Sequence, residues 1–130
     1  MIAAFNYGLQ YFQTLQFDRL KVSKKSIPTI TIDDIQDAVL DDTNVEIDGN
    51  DCVGSIDLLF DGVPVTGNLI TVTFNKPYIN SPYVIISSNS ITDVVLSVLD
   101  IDTTGFTVSL TNTGIENDVI SFTYLCIESS

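Results

Sequence analysis

The chain has 130 residues, 45% of them hydrophobic, and a net charge of −12 with no histidine and no tryptophan. That length allows one compact core with a short extension, and no uncharged apolar run approaches the ~20 residues needed to span a membrane as a helix. Without histidine, Ser-His and Cys-His catalysis and every histidine zinc site are excluded, and the acidic balance opposes contact with nucleic-acid phosphates.

The charge is unevenly distributed. Residues 1–32 carry Arg19, Lys21, Lys24 and Lys25 against Asp18, whereas residues 33–61 hold ten acids and no base. The opening run MIAAFNYGLQYFQTLQFDRLKV places its bases after its apolar residues, the reverse order of a secretory leader, and reads as mature structure. Phe5, Tyr7, Leu9, Tyr11, Phe12, Leu15 and Phe17 are too apolar to stay in water and too few to build a core. Residues 1–30 are therefore expected to form a docking arm, as a short helix or as extended chain, packed on another protein or on its own assembly.

After the loop-like KVSKKSIPT, the run TITIDDIQDAVLDD predicts a short helix over 31–41. Thr31 and Asp34 resemble a helix start, and Ile32, Ile35 and Val39, with Ala38 beside them, share a face. The acidic DDTNVEIDGND then breaks the helix and serves as a linker to residue 52. An EF-hand register from Asp42 puts Ile47 where the loop requires glycine, so that motif fails; an acidic turn is expected over a calcium loop of another type at 41–51, and no cofactor or metal is assigned.

From Val53 to the end the pattern changes to period two. SIDLLF, NLITVTF, YVIISS, VVLSVLDI, GFTVSLTN and VISFTYLCIE read as strands separated by turn-forming runs, which predicts a mainly β protein with an antiparallel β-sandwich over 53–130. Ile70, Val72 and Phe74 share one face of their strand, and Phe106, Val108 and Leu110 share another. Both sides of YVIIS and VVLSVL are apolar, which implies burial on two faces, by a partner or by sister chains. Cys52 and Cys126 have no metal or redox spacing and are expected as buried free thiols, in preference to a disulfide. Carboxylates are plentiful but lie mostly in one acidic block and in turns, so no enzyme is expected. Tyr78 and Tyr83 are the candidate glycan contacts, while Tyr124, alternating with Phe122, belongs to the core.

ITVTFNKPYINSPYVIISS, followed by DTTGFTVSLTN and ISFTYLCIES, resembles the small β-sandwich domain of bacteriophage tail-fibre and head-fibre proteins, related to the H-type lectin fold. The shared pattern is a strand ending in Phe, a Pro-aromatic turn, a second Pro before a strand, a Gly-Phe strand and a closing aromatic strand. It covers roughly residues 54–130, and it places Pro77 and Pro82 at strand margins, where a residue without an amide hydrogen fits. The resemblance implies a homotrimer in a virion assembled in the host cytoplasm. It implies a structural role as a short head fibre, spike or decoration protein, whose arm contacts capsid or tail proteins. A lectin-like receptor-binding module of a tail fibre, bound to a host-surface glycan, is the alternative; neither nucleic acid nor membrane is expected as a partner. The lectin's sugar-binding residues have no counterpart here.

Overall fold

The computed structural model describes residues 23–89, 94–112 and 119–129. The arm residues Phe5, Tyr7, Leu9, Tyr11, Phe12, Leu15 and Phe17 lie outside them. Among the described residues, eight strands form two antiparallel four-stranded sheets. The first sheet is ordered β1 (Thr29–Ile32), β4 (Gly67–Thr73), β7 (Gly105–Leu110) and β6 (Leu96–Leu99). The second is ordered β2 (Val45–Gly49), β3 (Val53–Leu59), β8 (Val119–Glu128) and β5 (Pro82–Ser88). The expected β-sandwich is present, with all six predicted runs as strands.

Alternation sets the core because neighbouring strand residues point to opposite faces. Ile56 and Leu58 on β3, Ile70 and Val72 on β4, Phe106 and Val108 on β7, and Ile120 and Phe122 on β8 are essentially inaccessible to water. At the expense of one residue, a bulge between Asn68 and Ile70 turns both Leu69 and Ile70 inward. Gly105 is required by close approach, since a Cβ there would lie 2.0 Å from the Val72 carbonyl oxygen.

The predicted helix over 31–41 is not formed. Thr31 and Ile32 complete β1, pairing with Thr71 and Ile70, and the helical content of the described residues is two 3-10 turns, one at Asp34–Gln36, capped by the Asp33 carboxylate accepting from the Ile35 amide, and one at Asp42–Asn44. The β-branched run TITI gains more from the β4 ladder than from a helix start. The expected apolar face fails with it: Ile35 is exposed, and Gln36 is buried in its place. The linker is also more ordered than its acids predicted, because Val45 and Ile47 alternate with Glu46 and Asp48 to form β2 on the edge of the second sheet.

Gln36 is buried because its carboxamide replaces missing backbone pairing. Its Nε2 donates to the carbonyls of Val65 (2.6 Å) and Asn68 (3.0 Å), and its Oε1 accepts from the Val65 amide (3.0 Å). The 3-10 turn thus fastens the loop before β4 and the bulge itself. Gln36→Leu keeps the volume and leaves three backbone groups unpaired, so chemical denaturation is expected to show a loss of about 3 kcal/mol.

Candidate functional site

Two surface features have the composition of a site. The first is an open cleft of about 440 Å³ at the end of the sandwich, between the β2–β3 turn, the β4–β5 connection and the end of β8. Its frame is Asp51, whose carboxylate is nearly inaccessible and accepts from the amides of Asn75 (2.7 Å) and Lys76 (2.9 Å). Glu128 fastens the other side of the connection, its Oε2 accepting from the amides of Ile79 (2.7 Å) and Asn80 (2.9 Å). Lys25 and Lys76 stand at the rim.

Tyr78 lies within this cleft but is committed to structure. Its hydroxyl donates to the Asp51 carbonyl (2.8 Å), and its ring packs edge-on against Phe74 at 4.8 Å. Desolvation, then the adjacent Cys52 thiol, hold the phenol well above its ordinary pKa. Tyr124 is fully buried, as expected, with its hydroxyl donating to the Asn50 carbonyl. Gly54 makes that reach feasible, because a Cβ there would come within 2.6 Å of the hydroxyl.

Both cysteines are free, but only Cys126 is buried; Cys52 is exposed in the cleft, a correction to the expectation of two buried thiols. Burial pushes the Cys126 thiol up to about 12. No cluster of three or more metal-ligating side chains forms among the described residues.

The second feature is the outer face of the second sheet. Strand register places Leu125 between Val53 on β3 and Ile85 on β5, and places Ile127 opposite Tyr83. Tyr83 is 66% exposed, Ile85 56%, Ile127 50% and Leu125 41%. These form one apolar patch without a charged member, whereas the same face carries Glu46, Asp48 and Asp57 at its β2 side. The tip of the β4–β5 connection adds Ile79, 88% exposed.

The structure therefore separates the two candidate glycan tyrosines: Tyr78 is half-buried in the cleft and Tyr83 stands on the apolar face. Of the basic cluster, Lys24 forms an ion pair with Asp48 at 3.2 Å, and the Ser23 carbonyl accepts from Asn50 Nδ2 at 2.8 Å. With both side chains largely exposed, that pair is worth about 0–1 kcal/mol. The sequence missed the Asp51 and Glu128 clamps because neither acid has a local partner; each binds amides far away in the chain. The signal for the apolar face was already present in the double-sided strands.

No protein-family model matches the chain, and no curated protein or solved structure shows a significant likeness to it. Among the described residues, no helix is long and apolar enough to cross a membrane.

Asp51→Ala removes the acceptor for two amides in a poorly hydrated site. A stability loss of about 2–3 kcal/mol is expected, accompanied by faster hydrogen exchange at Asn75 and Lys76 with the β8 amides less affected.

Proposed function

We propose that this chain is a non-enzymatic bacteriophage virion structural protein, a short head fibre, spike or decoration subunit that assembles as a homotrimer. Its N-terminal arm anchors it on capsid or tail proteins, and its sandwich projects outward. The observation that carries this reading is the apolar patch formed by Val53, Tyr83, Ile85, Leu125 and Ile127 on a protein of net charge −12. A patch of that kind, held on rigid strands and bordered by acids, has the anatomy of a protein interface. Like-charged copies approach most favourably through an uncharged surface, and the acids at the β2 edge then stay hydrated. The resemblance to phage fibre domains supplies the trimer and the virion.

A lectin-like receptor-binding module is the second reading, favoured by the exposed ring of Tyr83. The two readings make opposite demands on that residue, because a subunit interface would cover it and a glycan platform requires it free. Saturable glycan binding by the intact oligomer, abolished by Tyr83→Ala, would favour the lectin reading. Tyr78→Ala is uninformative by itself, since it also removes the contacts to Phe74 and Asp51.

Leu125→Glu tests the assembly reading. The substitution lies on the outer face, so the fold is expected to survive with a stability change within about 1 kcal/mol. Trimer dissociation seen by native mass spectrometry should become easier by on the order of 30-fold or more. Unchanged trimer stability would remove this face from the interface, and a wild-type monomer at micromolar concentration would overturn the assembly itself.

Deletion of residues 1–20 tests the anchor. The truncated chain should remain folded and trimeric but fail to enter particles. Loss of the fold would make the arm part of the core.

A further inference from the structure

Cys52 and Cys126 lie far apart in the chain, but the sandwich puts them side by side. The β3–β8 register runs through Val53 and Leu125, and one step further the Cys126 amide donates to the Cys52 carbonyl at 2.7 Å. This is one of the two bonds of a hydrogen-bonded antiparallel pair; the Cys52 amide donates instead to Asn50 Oδ1 at 2.8 Å, so the ladder ends at these residues. Such pairs have Cα atoms about 5.5 Å apart, inside the roughly 4.4–6.8 Å window of protein disulfides. Residues directly opposite in antiparallel strands point to the same side, and here that is the core side, with Cys126 buried in the core and Cys52 at the wall of the cleft. The Tyr78 hydroxyl lies 3.6 Å from the Cys52 sulfur, and both cysteines lie near enough to Tyr78 and Tyr124 for their thiolate forms to add to desolvation in raising both phenols.

We infer that Cys52 and Cys126 form an intramolecular cross-strand disulfide when the protein meets an oxidising solution, with exposed Cys52 as the point of attack and buried Cys126 as the resolving thiol. Accessibility divides the roles: Cys52 opens on the cleft, whereas Cys126 is 4% exposed. With oxidised glutathione as the oxidant, the Cys52 thiolate attacks one glutathione sulfur, and a glutathione thiolate leaves. Cys126 then loses its proton and attacks the Cys52 sulfur, expelling the second glutathione. The protein dithiol is oxidised by two electrons, and one glutathione disulfide is reduced to two thiols. Because burial disfavours the Cys126 thiolate, ring closure is the slower step at neutral pH.

The bond would tie the β2–β3 turn, which carries Asp51, to the strand that ends in Glu128. Both clamps on the β4–β5 connection would then share one covalent frame. The chemistry is independent of the virion reading, which supplies only the setting: a particle that leaves a reducing cytoplasm for an oxidising exterior.

The test uses the full-length chain, reduced, freed of reductant and exposed to oxidised glutathione. Thiols are then labelled with a maleimide after unfolding, and the products are read by intact and peptide mass spectrometry. Loss of both labels from a single chain, with a peptide joining Cys52 to Cys126, supports the inference. Cys126→Ser should stop at a glutathione adduct on Cys52, and Cys52→Ser should acquire none, with circular dichroism confirming the β fold of both variants. A lasting adduct on Cys52 of the wild-type chain with Cys126 still labelled would overturn it. So would a Cys52–Cys52 link between chains as the main product, or retention of both labels. Trimer formation and particle entry are separate readouts, so failure here leaves the assembly reading intact.

Discussion

A carboxylate with almost no access to water must find hydrogen-bond donors nearby, and Asp51 finds them in the amides of Asn75 and Lys76. That pairing joins a turn of the second sheet to the segment by which the chain leaves β4 of the first sheet and reaches β5 of the second. The two layers of a sandwich are held face to face by non-directional burial, which tolerates sliding. Directional bonds at the sheet ends restrict it. Asp51 provides them at this end, together with Tyr78 donating to its carbonyl and Tyr124 donating to the carbonyl of Asn50. The shape of the cleft follows from this corner together with the Glu128 clamp, which holds the amides of Ile79 and Asn80.

The opposite faces of the sandwich differ in kind. The outer face of the first sheet presents Thr29, Thr31, Thr71 and Thr73 to solvent, with the Thr71 and Thr107 hydroxyls 3.3 Å apart; Thr107 and Ser109 on central β7 are buried, and the face is mostly polar without charge. The outer face of the second sheet is divided between acids on β2 and β3 and large apolar groups on β5 and β8. The first exposes Leu99 at its β6 edge, whereas the second groups Tyr83, Ile85, Leu125 and Ile127 into one patch, so the drive to associate is concentrated there. Position also favours it: Leu125 is flanked by Val53 and Ile85 in the ladders, and Tyr83 by Ile127, so the patch is presented on paired backbone rather than on loops.

Much of this architecture was legible in the residues. Period-two alternation identified the six strands from β3 to β8 and the inward faces of β4 and β7, because a half-buried strand separates polar from apolar at every step. The apolar second side of YVIIS likewise announced the outer patch. The segment before Val53 was read less well. Its β1 is four residues long and precedes a cluster of aspartates that imitates a helix start, and acids in β2 imitate a loop. Edge strands tolerate such residues, since one side of each faces solvent.

The sequence by itself determined which residues had to leave water and with what period, and so the fold class, because hydrophobic burial acts residue by residue. Tertiary structure decided which distant groups meet. Gln36 became buried because two carbonyls and an amide near β4 lacked partners. Tyr78 became a structural strut while Tyr83 was left on the surface, and Cys52 arrived opposite Cys126 through the β3–β8 register. Hydrogen bonds and close contacts depend on ångström-scale placement across the fold, and a one-dimensional pattern of polarity holds no record of it.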